Sequence, residues 1–275
     1  MAIKMIAIDL DGTALNSAGK ITERTEKAIR AAAEKGVHVV ISTGRAYTSL
    51  PEDVKRIEVI KYAITSNGSH IVAMRTGKAL YSEYLSPEAA LRAADLAEEL
   101  DTHLEIFIDG QAYIDEEYYN HIAKYGCDYR NAEYVLWSRK PVRDINGMLR
   151  DNRDKIENIN FCFRDLDTLE ASRPAIESIP DSIITSSIKN NLEVGGKKAT
   201  KINAVIDLMR RLGVMESELM CCGDAPNDIS MLRAAGIGVA MGNAWGGTKD
   251  YADYVTASND EDGVAEAIEK FVLNA

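Results

Sequence analysis

Residues 3–13 read Ile3-Lys4-Met5-Ile6-Ala7-Ile8-Asp9-Leu10-Asp11-Gly12-Thr13, a hydrophobic run that ends in acid, glycine and threonine. Met5 to Ile8 is continuously apolar, the pattern of a strand buried on both faces of a parallel sheet. Asp9 and Asp11 arrive as the run gives out, and Gly12-Thr13 suits a tight turn. Open α/β sheets bind ligands outside the carboxyl ends of their strands. Two anionic side chains there are costly to bury unless a cation or a proton offsets them. Alone, the stretch also permits a plainer reading in which Asp9 and Asp11 only cap or turn the backbone.

Further along, helix and strand alternate. Thr22 to Lys35 reads as a helix with Thr22 as N-cap and Gly36 as the stop. Val37 to Ile41 is the next buried strand and ends in Ser42-Thr43-Gly44-Arg45; a right-handed crossover makes it parallel to the first. A helix broken by Pro51 precedes a third apolar run, Tyr62 to Thr65, closed by the turn Ser66-Asn67-Gly68. The pattern then changes. Ser86-Pro87-Glu88 opens a helix to about Leu100, and Leu104–Ile108 with Ala112–Ile114 forms a hairpin about Asp109-Gly110. Helices are expected at Glu116–Tyr125, Val142–Arg150 and Leu166–Ile179, and strands at Ile156–Phe163 and Ile183–Ser187, while 126–141 yields no clear pattern. Crossover logic returns with extended Leu192–Val194, a helix from Ala199 to Leu212, a strand Leu219–Cys222 and the loop Gly223-Asp224-Ala225-Pro226-Asn227-Asp228. The strand Ile237–Met241 and a helix from Glu261 to Leu273 complete the series. The expected organisation is one α/β domain, residues 1–83 and 188–275, interrupted by an α+β module with a one-sided sheet at 84–187.

A chain of 275 residues has room for two domains, and its 46% hydrophobic and 27% charged residues are ordinary for a globular protein. The net charge of −11 argues against nucleic acid or an anionic membrane as the main partner. No run approaches the length of a membrane span, and the acids at 9 and 11 interrupt the place where a signal peptide would be apolar. Cys127, Cys162, Cys221 and Cys222 contain no C-x-x-C pair and fit a reducing cytoplasm. A monomer or small homo-oligomer is expected.

Asp9, Asp11, Thr43, Arg45, Asn67, Asp224, Asn227 and Asp228 all fall at carboxyl ends of the expected core strands. Carboxylates converging on one crevice repel one another, and oxygen-only ligands in small number suit Mg²⁺ better than Ca²⁺. Mg²⁺ favours phosphate oxygens, so phosphoryl chemistry is the natural reading. Lys201 could bring a positive charge to the same crevice, although spacing does not choose it over Lys197 or Lys198. His38, His70, His103 and His121 show no metal-ligand spacing and are read as structural.

With these residues in place, Asp9-Leu10-Asp11-Gly12-Thr13 resembles the first motif of the haloacid dehalogenase-like (HAD) hydrolases, and Ser42-Thr43-Gly44-Arg45 the second. Lys201, in Lys-x-x-Ala, is similar to the third-motif lysine, and Gly223-Asp224-x-x-Asn227-Asp228 to the fourth motif. An insertion between the second and third motifs matches the Cof-type (type IIB cap) sugar-phosphatase subfamily. The resemblance implies a Rossmann-like core with a mainly parallel sheet and an α+β cap that governs substrate choice. It implies that Asp9 attacks phosphorus to form an aspartyl-phosphate, and that Asp11 serves as acid and then base. Mg²⁺ would be held by Asp9, the backbone carbonyl of Asp11 and Asp224, with Asp228 close by. Thr43 and Lys201 would bind the phosphoryl oxygens, Asn227 phosphate or a metal-bound water, and Gly44, Arg45 and Asn67 would lie near the substrate. Ala14 departs from the leucine common after Asp-Gly-Thr, and Glu193–Lys197 is an unusual approach to Lys201. The expected function is a Mg²⁺-dependent phosphatase on small phosphate esters; a phosphomutase and a receiver-like signalling module are the alternatives.

Overall fold

The computed structural model describes residues 2–127 and 130–274. In chain order the elements open with β1 (Met5–Ile8), α1 (Glu23–Glu34), β2 (His38–Ser42), α2 (Glu52–Lys55), β3 (Tyr62–Thr65), β4 (His70–Ala73) and β5 (Lys78–Ser82). Next come α3 (Pro87–Glu99), β6 (His103–Ile108), β7 (Gln111–Asp115), α4 (Glu116–Tyr125), α5 (Ala132–Ser138), β8 (Arg139–Val142), α6 (Ile145–Asp151), β9 (Ile156–Cys162), α7 (Leu166–Glu177), β10 (Ser182–Thr185) and β11 (Asn191–Gly196). The chain closes with α8 (Lys201–Leu212), β12 (Leu219–Gly223), α9 (Ile229–Ala234), β13 (Ile237–Ala240), β14 (Tyr254–Val255) and α10 (Gly263–Ile268). They fall into two compact units. The first is Met1–Gly44, Leu50–Tyr81 and Lys201–Ala275; the second is Arg45–Ser49 and Ser82–Thr200.

The first unit is an eight-stranded sheet in the order β14-β13-β12-β1-β2-β3-β4-β5. β1 runs parallel to both neighbours, with Met5 opposite Leu219 on one side and His38 on the other. Every residue of β1 is therefore inside, as its unbroken apolar run requires. Met5 and Ala7 join the buried Ala204, Val205 and Leu208 of α8 and Met231 and Leu232 of α9. Alternation sends Ile6 and Ile8 to the opposite face. Each such buried side chain contributes about 1.5–3 kcal/mol. α1 starts where expected, the Thr22 hydroxyl accepting from Thr25 N at 3.1 Å, and stops before Gly36 at φ 83°.

The second unit is a six-stranded sheet ordered β10-β11-β9-β6-β7-β8. One face packs against helices: Leu104, Ile106, Ile159, Phe161, Leu192 and Val194 cluster with the Ala89, Ala90, Ala93 and Ala94 of α3. β6 and β7 form the expected hairpin, with Asp109 and Gly110 both at positive φ, the twist-matched geometry of a two-residue turn.

Three expectations need correction. The expected 84–187 module is longer, because β11 pairs antiparallel with β9 (Glu193 opposite Asn160), so its residues belong to the second sheet. The unread stretch contains α5 and the strand β8, which pairs parallel with β7 and carries Pro141 at the sheet edge; residues 128–129 lie outside the described residues. The face of β9 away from the helices is not a solvated one. Asn158 and Asn160 there are 1% and 5% exposed, and Glu105 beside them on β6 is fully buried. Arg139 and Arg130 make that burial tolerable, each pairing with Glu105, at 3.0 and 2.8 Å. Burial alone would raise the Glu105 carboxyl, but the two guanidiniums bring it down to about 2. Among the described residues no helix is long and apolar enough to cross a membrane.

Candidate active site

Asp9, Thr43, Asn67 and Asp224 all follow strand ends of the first unit. Asp9 follows β1 directly, its N–H donating to the Cys222 carbonyl at 3.0 Å and so extending the ladder by one residue. The chain then folds back: Thr13 and Leu15 both donate to the Leu10 carbonyl, and Ala14 to that of Asp9. Gly12 makes this possible at φ 77°, and it also leaves space, since a Cβ there would sit 2.4 Å from Asp224 Oδ2. Thr13 Oγ1 donates to Asp224 Oδ1 at 2.8 Å, tying the two strand ends together.

β12 ends at Gly223, and the chain turns over Pro226–Asp228. Asp228 is fully buried, its Oδ2 accepting from the Asp224 and Ala225 N–H groups at 3.0 and 3.1 Å. Its side chain braces the loop that carries Asp224. Lys201, the first residue of α8, is 1% exposed and donates from Nζ to Asp9 Oδ1 at 2.6 Å and to Asp228 Oδ1 at 2.7 Å. Lys197 instead pairs with Asp181 at the surface, so packing makes the choice that spacing left open.

Asp9, Asp224 and Asp228 each offer one carboxylate oxygen, and the three oxygens lie within 4.8 Å of one another. Three buried negative charges face the one ammonium of Lys201, an excess of two, which matches a divalent cation. The donors are all oxygen, as a hard cation requires. Titration reflects the crowding. Burial, then Asp228, pushes Asp224 up to about 7. Burial raises Asp9 well above the usual carboxylate range; Lys201 opposes the rise, and Asp228, Asp224 and Asp11 add to it. Burial would lower Lys201, but Asp228 and Asp9 hold it above the usual lysine range.

The other expected residues are placed as follows. Asp11 is exposed, and its carboxylate lies outside the group of three. Thr43 is fully buried after β2, donating to Ile64 O and accepting at its own carbonyl from Asn67 N. Gly44 abuts Asn67, whose Oδ1 would lie 3.1 Å from a Cβ at 44. Asn67, held left-handed at φ 55°, accepts at Oδ1 from Asn227 Nδ2 at 3.0 Å, joining two residues that the sequence presented separately. Arg45 groups with the second unit, not the first. It donates to Ser49 O at 3.1 Å and its guanidinium stands 4.2 Å from the Tyr134 ring centre. Asn243 was missed: its Nδ2 donates to Gly12 O at 2.8 Å and steadies the turn after β1. Its place in the loop after an apolar strand was the available signal.

Known proteins are similar to this chain over nearly its whole length. The family model for haloacid dehalogenase-like hydrolases matches residues 6–268. The 5-amino-6-(5-phospho-D-ribitylamino)uracil phosphatase YcsE of Bacillus subtilis (strain 168) is 33% identical over 275 residues, spanning 98% of this chain and 96% of that protein. Phosphatase YwpJ of the same organism is 33% identical over 280 residues, covering 96% of this chain and 98% of its own. Among solved structures, a haloacid dehalogenase-like hydrolase from B. subtilis superposes with a TM-score of 0.85 at 29% identity, over 98% of this chain and 100% of that one. The HAD subclass IIB sugar phosphatase BT4131 does so at 0.80 and 25% identity, over 98% of each chain.

Proposed function

The chain belongs to the haloacid dehalogenase-like hydrolase family and is one of its phosphatases, and from that premise we propose that it is a Mg²⁺-dependent hydrolase of small phosphate esters, sugar phosphates among them, acting through Asp9. The observation that carries the reading is the buried Asp9 carboxylate, held by Lys201 beside Asp224 and Asp228.

In the first half-reaction an Asp9 oxygen forms a bond to phosphorus as the phosphorus–alkoxide bond breaks, and Asp11 gives the departing alkoxide its proton. In the second, Asp11 takes a proton from water, the water oxygen bonds to phosphorus, and the Asp9–phosphorus bond breaks to release inorganic phosphate. Lys201 orients Asp9 and, with Thr43, holds the transferring oxygens, while Asn227 contacts phosphate or water. Gly44 and Arg45 are assigned to the substrate side. Mg²⁺, held by Asp9, the Asp11 carbonyl and Asp224 with Asp228 close by, would supply charge stabilisation to the phosphoryl group. Choice among esters is assigned to the second unit. A cytoplasmic location accords with four cysteines carried as thiols.

Phosphate release from sugar phosphates and an aryl phosphate, with Mg²⁺ and with chelator, tests the reading. Release should need the metal and fall on the order of a thousandfold or more in Asp9→Asn. Activity that survives that substitution, or that ignores chelation, overturns it.

A further inference from the structure

The second unit holds a cavity of about 410 Å³, a size suited to small molecules, that the phosphatase reading leaves without a task. It lies at the end of the β6–β7 hairpin away from the Asp109-Gly110 turn, since His103 opens β6 and Asp115 closes β7. The turn end is the one tied to the segment after Gly44, Thr48 Oγ1 donating to Gly110 O at 2.9 Å. None of the cavity's residues belongs to the candidate active site. Part of the lining is apolar, with Ala97, Leu104 and Ile145 beside a ring pair. His103 and Tyr118 stack with ring centres 3.5 Å apart and planes 5° from parallel. Burial, then Arg164, holds His103 down to about 4, so that ring is uncharged at neutral pH.

The polar groups around the cavity are left open. Asp115, Glu117 and Arg164 all line it, yet none of them forms an ion pair among the described residues. Asp115 caps α4 with Oδ1, accepting from the Glu117 and Tyr118 N–H groups at 2.9 and 3.0 Å, which leaves Oδ2 for another donor. Asn146 adds an independent observation. Its Nδ2 donates to Ala94 O and Glu98 Oε1, at 3.0 and 2.7 Å, and two acceptors there fix which end of the amide is nitrogen. Oδ1 is then an acceptor, and it is buried with no partner among the described residues. A ligand that brings an N–H to it removes that penalty. A plain anion in the cavity would meet two carboxylates, and a plain cation would meet Arg164. Opposite charges held apart around one space instead suit a molecule that carries both signs. We propose that this cavity binds a zwitterion, an α-amino acid with an apolar side chain. Its ammonium faces Asp115, Glu117 and Asn146 Oδ1, its carboxylate faces Arg164, and its side chain packs on Leu104 and the ring pair. The site takes no part in phosphoryl transfer, and its assignment does not rest on the phosphatase reading.

The test titrates the full chain with L-phenylalanine and L-leucine, followed by the ring NMR signals of His103 and Tyr118. At least one should give saturating shifts with a Kd of about 5 mM or tighter, the range set by ligands of this size. Arg164→Met and Glu117→Gln should each weaken that binding about threefold or more, each removing one charged contact. Phenethylamine and 3-phenylpropionate, or isopentylamine and 4-methylpentanoate for leucine, lack one charge each and should bind about threefold more weakly or not at all. Phosphate release from nitrophenyl phosphate should be the same in both variants as in wild type, which reports that they are folded. Three results overturn the site: no saturable shift with either amino acid, a smaller effect than this in either variant, or a singly charged analogue that binds as well as the amino acid.

Discussion

Lys201 is the residue on which the site's electrostatics turn. Its ammonium is the bonded partner of two buried carboxylates, Asp9 and Asp228, and removing it strands both. Lys201→Met should therefore cost about 3–5 kcal/mol in unfolding free energy measured in chelator, as for other broken buried ion pairs. A loss below about 1 kcal/mol would mean that the carboxylates are not charged together in the folded state. Activity should fall with it, because orientation of Asp9 is lost. Of the site residues, Asp9 and Asp224 were legible because each sits where an apolar strand stops. Lys201 was only one of three nearby lysines, and the pairing of Asn67 with Asn227 has no local signature, since the two are far apart in the chain.

At the scale of elements, the turn after β1 matters as much as the strand. Gly12 and Gly36 are both at positive φ, so an alanine at either should cost about 1–2 kcal/mol of backbone strain. Their surroundings differ. A Cβ at 36 meets nothing within 4 Å, whereas one at 12 collides with Asp224. Gly36→Ala should lower stability with kcat/KM intact, while Gly12→Ala should lower kcat/KM about a hundredfold by displacing Asp224. Equal kinetics in the two variants would show that the turn does not position the site. β11 shows why element placement was harder. Leu192-Glu193-Val194 looked like a short core strand, and nothing within it records that β9 is its partner.

Across the whole molecule, the excess of buried negative charge makes stability depend on pH. Asp224 titrates near 7 in the folded, metal-free chain, above the usual aspartate value of 3.8, so between those values the folded state binds more protons than the unfolded one. Its ionisation thus opposes folding as pH rises, by a few kcal/mol above pH about 7. In chelator, wild type should lose stability between about pH 4 and 7 relative to Asp224→Asn, read by thermal unfolding, and the difference should level off above pH about 7. Mg²⁺ at about a hundred times its Kd should add about 2.7 kcal/mol, and less as pH falls below 7 because protons compete for the carboxylates. Parallel pH profiles for the two proteins in chelator would mean that Asp224 does not titrate above its usual range in the folded chain. The sequence by itself determined the alternating α/β core, the acids at its strand ends and the presence of an inserted α+β module, because burial patterns, turn residues and strand ends are written in local order. Only the tertiary structure decided that Lys201 is the lysine of the site, that β11 belongs to the second sheet, and that the Asn158 amide and Asn160 Oδ1 are buried without partners among the described residues. Those outcomes depend on which distant segments meet, and no short window of sequence contains both members of a contact.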